Sequence, residues 1–356
     1  MFFYLIWFVV FLILYFFAER SNKKWALFIA AIPPILLEGL RDELLGDDMA
    51  GYGTLWFYDM STKDSVGQII DDAITPEYGY HLMIYFCKMI STDIHLYMTV
   101  CAAIKIIMVY LAAFALRKKM DSISFLFGYF CFFYVLGFSL MRQSIAVAIS
   151  FYALTFFMER KLWKFIALVI IAYLFHSSAI LMVIYIPLYF LKDYKYKYVL
   201  LVFCLASSYI LIETLFPLLI ASPLFKSSMA DLYIDSGVTS AKSNILLSLF
   251  TLFYGVLLYI RMGKKMAVDI WYMISTSLIS LTFLALASYI EVAFRMSYYM
   301  FMMGMVLTYV FITKKKQLRV FITPTCWCLF LLHFYLSCTH GLNGALDYTS
   351  KIIGIV

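Results

Sequence analysis

In the stretch Phe138–Ser150, FSLMRQSIAVAIS, Arg142 and Gln143 stand between two long uncharged runs. A guanidinium set among so much apolar sequence needs a partner, a bound anion or water, because an uncompensated charge at membrane depth is costly. Arginine suits phosphate: its planar fork makes bidentate, charge-assisted hydrogen bonds and keeps its charge when water is scarce. Arg41 and Arg295 also border apolar runs, and with Arg142 they read as clamps for a diphosphate. The carboxylates Asp47, Asp48, Glu77 and Glu291, with the imidazole of His176, are groups able to take a proton from a hydroxyl nucleophile. An aromatic set in one stretch (Tyr52, Trp56, Phe57, Tyr58, Tyr78 and Tyr80) offers faces for sugar rings, beside its ordinary use as an interfacial belt.

Each of these residues has a plainer use. Arg41 directly follows an apolar run and is able to snorkel to headgroups. Glu291 lies four residues before Arg295, the spacing of an ion pair on one helix face. His176, followed by Ser177 and Ser178, suits backbone groups freed at a turn, and His81, His95 and His333 read as packing or interface residues. The seven cysteines fall mostly inside apolar segments and read as small buried hydrophobes, and Cys326-Trp327-Cys328 fits neither a redox pair nor a zinc site. No two His or Cys share a helix face at ligand spacing, so neither a metal nor a cofactor is expected.

The elements that must position these groups are transmembrane helices. Of the 356 residues, 65% are hydrophobic and 14% charged, and the mean hydropathy is +0.91, far from a soluble domain. Apolar runs at approximately 1–18, 24–40, 94–116, 121–139, 141–158, 162–176, 177–191, 197–216, 243–261, 268–289, 294–313 and 317–338 predict an all-α, polytopic membrane protein of about twelve spans. The first run lacks a preceding basic residue and a cleavage signal, so it is expected to be retained as a span. Six basic clusters, beginning at Arg20, Arg117, Arg160, Lys192, Arg261 and Lys314, all fall on the cytoplasmic side if both termini lie outside. The net charge of +7 therefore bears on topology, not on nucleic acid.

This topology leaves two long outer loops, 41–93 and 217–242, and makes 76–90 a re-entrant or interfacial helix. No internal repeat is visible, and residues 1–356 read as one integrated membrane domain. With the topology drawn, Arg41, Asp42, Glu43, Asp47, Asp48, Glu77, Arg142, His176, Glu291, Arg295 and His340 all sort to the outer side. A one-sided polar set predicts a cavity open to the outer leaflet.

At these residues the chain resembles the EpsG/Wzy family of bacterial exopolysaccharide and O-antigen polymerases. GLRDELLGDDMAGY (39–52) is similar to the family's first outer-loop pattern at Gly39, Leu40, Arg41, Gly46, Asp48 and Tyr52. PEYGY matches at Glu77, Gly79 and Tyr80; MRQSIA at Arg142, Gln143, Ile145 and Ala146; HSSA at His176, Ser178 and Ala179. FRMSYY places Arg295 where the family usually has an arginine. Ser139 and Met49 depart from the usual Asn and Thr.

The resemblance implies a glycosyltransferase of the inner, cytoplasmic membrane whose active site faces the periplasm or cell exterior. It would polymerise polyprenyl-diphosphate-linked oligosaccharide repeat units, serving as donor and acceptor, and release polyprenyl diphosphate. Arg142, His176, Asp48 and Glu77 are then the expected catalytic residues. Arg41, Arg295, Gln143, Tyr52, Tyr80 and Glu291 are expected to bind substrate, with the base open among Glu77, Asp48 and His176. The bilayer and a chain-length regulator protein are the further partners this implies. The rival reading is a flippase for the same lipid-linked sugars, which would spread charge over both sides; an acyltransferase would need polar residues in the inner halves of the spans.

Overall fold

The computed structural model describes residues 1–47, 49–60, 62–71, 77–220, 241–262, 267–287, 291–314 and 316–355. These residues are mostly helical, and their only strand-like pairing is a single antiparallel bridge, Ser350 to Ile355. The chain forms two compact units, Met1–Met182 with Ile312–Val356, and Val183–Phe311.

In the first unit, α1 (Phe2–Arg20) and α2 (Lys24–Gly39) form a hairpin closed at Asn22, whose φ is +57°. The two faces of α1 are equally apolar. Tyr4, Phe8, Phe11 and Tyr15 are buried, while Phe2, Ile6, Val9, Ile13 and Phe17 form an exposed stripe. A water-facing helix would place polar residues there; lipid accounts for a hydrophobic outer face.

Helix α6 (Ile94–Leu116) packs against α2 and α9. The next run, α7 (Ser122–Tyr129), continues through a π-turn (Phe130–Tyr134) into α8 (Leu136–Ser139) and reverses at Leu140 into α9 (Met141–Met158). Leu140 has φ −82° and ψ 58°, the inverse γ-turn geometry. Phe125 stacks on Phe151 at 4.6 Å, so the two arms run antiparallel. A second reversal at Arg160, φ +61°, joins α9 to α10 (Leu162–Phe175), and α16 (Lys316–Thr339) closes the unit by laying Trp327 on Phe127 at 4.3 Å.

Basic loops of this unit gather at one end: Arg117 donates to Asn22, Arg319 to Asp121 at 3.0 Å, and Lys119 and Lys164 face Glu159. Arg142 lies at the far end of the 18-residue helix α9, roughly 27 Å away, close to the thickness of a hydrocarbon core. Within this unit the basic loops and Arg142 thus lie at opposite ends of α9.

Residues 41–93, expected as a long loop, are largely helical: a π-turn (Met49–Gly53), α3 (Thr54–Met60), α4 (Val66–Asp71) and α5 (Tyr78–Ile90). With 13 residues, α5 rises roughly 20 Å, too short to cross alone. It docks on α10 through Gly79, where an added Cβ would stand 2.9 Å from Leu174 Cβ and 3.0 Å from its carbonyl oxygen. Gly79→Ala is expected to push α5 off α10 at a cost of about 1–3 kcal/mol, seen as a lower unfolding temperature in detergent.

The second unit comprises α11 (Tyr185–Leu191), α12 (Lys197–Ile220), α13 (Ala241–Met262), α14 (Ala267–Leu286) and most of α15 (Glu291–Lys314). Its centre is Trp271, fully buried, whose indole N–H donates to the Leu188 carbonyl at 2.8 Å and whose ring meets Tyr198. Between α13 and α14 the hydroxyls of Ser248 and Ser280 are bonded at 3.0 Å, and Gly255 lets Ile274 approach closely. Of the expected outer loop 217–242, residues 217–220 and 241–242 belong to helices and 221–240 lie outside the described residues.

Among the described residues six helices are long and apolar enough to cross a membrane, and apolar helices of 10–17 residues occupy 122–134, 162–175, 177–191 and 245–260. The helical architecture is that of a polytopic membrane protein, and the run expected at 121–139 is broken by the π-turn at Phe130–Tyr134.

Candidate functional site

The site is built where α9, α5 and α10 meet. The reversal at Leu140 puts Arg142 in the first turn of α9, where unsatisfied backbone N–H groups add positive potential. Arg142 Nη1 donates to Glu77 Oε2. Its guanidinium lies 4.6 Å above the centre of the Trp56 ring and 6.0 Å from that of Tyr80, a cation held over aromatic faces. The Arg142 side chain is 15% exposed and that of Glu77 is 5%, so the pair borders solvent through the arginine.

Glu77 is shared. Its Oε1 accepts the Ser177 backbone N–H at 3.1 Å and stands 3.9 Å from His176 Nε2. Extended backbone at His176, φ −157° and ψ 125°, ends α10 and turns the ring toward the loop, where Nδ1 accepts the Ser178 N–H at 3.2 Å and contacts the Ser178 hydroxyl at 2.6 Å. A nitrogen that accepts from a backbone amide carries no proton, so in the neutral ring the hydrogen is on Nε2, facing Glu77. Arg142, Glu77 and His176, separated by up to about a hundred residues in sequence, thus form one chain of contacts.

Arg41 stands elsewhere. Expected as an open clamp, it is wholly buried. Its donors go to the carbonyls of Glu38 (2.5 Å), Phe138 (3.0 Å) and Leu45 (3.3 Å), and its guanidinium lies over Phe138. It pins the end of α2 to the reversal that carries Arg142, and water cannot reach it. Gln143 and Tyr80 are also buried, and Tyr80 meets the Tyr97 hydroxyl, so neither offers an open face. Asp48 lies outside the described residues, as do the side chains of Tyr52 and Glu291. Arg295 is half-buried on α15 in the second unit.

Two functional-looking residues escaped the sequence reading. Glu38 and Lys105, each about 1% exposed, form an ion pair between α2 and α6, and Lys105 also donates to the Gly137 carbonyl at 2.9 Å. The signal was present: single charges of opposite sign inside apolar runs, which membranes tolerate only when paired. Lys105 on Gly137 and Arg41 on Phe138 place two cations on the last carbonyls of α8, the favourable end of a helix dipole. His333, read as packing, stacks on Phe132 at 3.6 Å. Asp93 caps α6, its carboxylate accepting the His95 backbone N–H at 2.9 Å and meeting His95 Nδ1 at 2.7 Å. No cluster of three or more His, Cys, Asp or Glu with metal-holding geometry occurs among the described residues.

The C-terminal segment closes the frame. Gly46, at φ +105°, lies so close to Phe138 that an added Cβ would meet its carbonyl at 2.7 Å, and its N–H donates to Gly344. Tyr348 donates to the Leu37 carbonyl and Ser350 to that of Leu40, so orphan acceptors at the end of α2 are satisfied by the tail. Asp42 accepts the Lys351 N–H at 3.0 Å. Hydrogen bonds from Thr349 and then Lys351 hold its carboxyl below the ordinary value of 3.8. A lowered folded pKa means this contact stabilises above that ordinary value and is lost as pH falls through the lower one. Asp42→Asn should therefore speed hydrogen exchange at Lys351 at neutral pH, as acidification below about pH 3.8 does for the wild type.

The fold and site together define a membrane-embedded helical protein with a buried-edge arginine at one end of its bundle. A family model described as the EpsG family matches residues 24–350, and the chain belongs to that family. No curated protein and no solved structure matches. Membership points to a function of the polysaccharide-polymerase type.

Proposed function

We propose that the protein is a glycosyltransferase that joins polyprenyl-diphosphate-linked oligosaccharide repeat units on the extracytoplasmic face of the cytoplasmic membrane. The observation that carries this reading is Arg142: a cation at the helix N-terminus of α9, at the end opposite the basic loops, edged by Glu77 and His176. As the glycosidic bond breaks, negative charge grows on the departing diphosphate, and a preorganised guanidinium with helix N–H groups stabilises it. Arg142 borders solvent beside Glu77, the edge from which a phosphate would reach its guanidinium.

In this mechanism Glu77 aims Arg142 and holds the His176 ring. The proton of the acceptor hydroxyl passes to His176 or Asp48. Tyr52 shapes the glycan path, and Tyr80, itself buried, backs Arg142 with the face of its ring. Arg41, buried against carbonyls, serves the frame. A chain-length regulator would act beside this machinery.

The test is complementation of cells lacking their own polymerase. Restored glycan ladders, with lipid-linked units consumed at the outer face, support the reading. Ladders that stay absent while lipid-linked units collect on the cytoplasmic side would establish the flippase instead.

A further inference from the structure

The loop after α2 and the C-terminal tail enclose a cleft of about 390 Å3, open on one side. That volume lies within the roughly 300–1,000 Å3 typical of small-molecule sites. Its polar wall consists of Asp42, Glu43, His95, Thr349 and Lys351. Two carboxylates set against one ammonium and an imidazole leave the wall close to neutral, and it contains no arginine. Such a wall is a poor host for a diphosphate and a good one for hydroxyl groups, which donate to carboxylates and accept from ammonium or hydroxyl.

An apolar face completes it. Leu44 and Ile352, 60% and 51% exposed, line the same cleft and offer a surface for the C–H side of a sugar ring. At Glu43, Oε2 already accepts the hydroxyl of half-exposed Tyr58 at 3.1 Å. The wall is preorganised, because Asp42 N–H donates to the Thr349 carbonyl and Lys351 N–H to the Asp42 carboxylate, both at 3.0 Å. Tyr58 also ties the cleft to the arginine: it lies on α3 two residues after Trp56, whose ring carries Arg142.

We propose that this cleft is a glycan-binding subsite that holds uncharged sugar residues of the acceptor while the diphosphate-bearing end lies at Arg142. The source of the glycan rests on the polymerase reading, whereas the binding itself does not require turnover.

The protein in lipid nanodiscs would be titrated with lipid-free oligosaccharides released by mild acid from the host cell's own surface polysaccharide. Hydrogen exchange and saturation-transfer NMR would be the readouts. Saturable binding with protection at Leu44–Leu45 and Thr349–Ile352 is expected. Glu43→Ala, and Leu44→Trp as a plug from an exposed position, should each weaken it at least about tenfold. Glu43→Asp should recover most of it, and Arg142→Ala should bind as wild type. Inorganic diphosphate should not compete. No saturable binding to the wild type, affinity unchanged in both cleft variants, protection elsewhere or displacement by diphosphate would each overturn the subsite. Ladder failure with intact cleft binding would remove the polymerase reading alone; normal ladders without cleft binding would remove the subsite alone.

Discussion

Arg142→Ala is expected to reduce the glycan ladder to a single repeat unit at matched membrane expression, with lipid-linked units accumulating at the outer face. Removing one preorganised electrostatic contact to a developing anion typically costs about 10²–10³-fold in rate, and polymer length falls with every slowed transfer. Arg142→Lys separates charge from geometry: a lysine restores the positive charge but not the planar fork that meets Glu77. It should recover only a small part of the activity. Glu77→Gln keeps a hydrogen-bonding partner for the Ser177 N–H but loses the charge that aims the arginine, so activity should drop with little change in unfolding temperature. Full-length polymer from Arg142→Ala would reduce the residue to a lipid-facing or structural role and end the proposed mechanism.

The largest effect on stability is expected at Lys105. Lys105→Met strips the partner from Glu38 and the donor from the Gly137 carbonyl, both inside the bundle. Breaking a buried ion pair from one side costs about 3–5 kcal/mol, because the surviving charge stays desolvated. In detergent this should appear as a large fall in unfolding temperature and poor membrane yield. Glu38→Gln should be milder, since an amide still accepts from Lys105. The double variant Glu38→Leu with Lys105→Met should recover more than half of the loss, as hydrophobic replacement of a whole buried pair is often neutral. A double variant as unstable as the sum of the singles would show that Gly137, not Glu38, is the partner that matters.

The same pair shows where sequence reading stopped. Hydropathy made the apolar runs visible, so the all-helical class followed from composition, and the basic loops of the first unit gather at one end, away from Arg142. That sorting placed Arg142, Glu77 and His176 on one side. Residue type explains this success: a charged group beside twenty apolar neighbours announces itself.

Sequence by itself determined the class of protein, an all-helical membrane-embedded chain of the EpsG family, and singled out Arg142, Glu77 and His176 among the polar residues that the fold draws together. What only the tertiary structure decided was which charges face outward. Arg41 and Arg142 are both arginines at the end of an apolar run, but the Leu140 reversal gives the first a ring of backbone carbonyls and the second a carboxylate and two aromatic faces at the solvent edge. A hydrogen-bond partner supplied by backbone carries no residue-type signal, and Phe138, which takes the Arg41 bond 97 positions away, comes near it only when the chain folds back. The cleft behind Glu43 is hidden for the same reason: its far wall is the C-terminal tail, brought there by hydrogen bonds to Asp42 and Leu40.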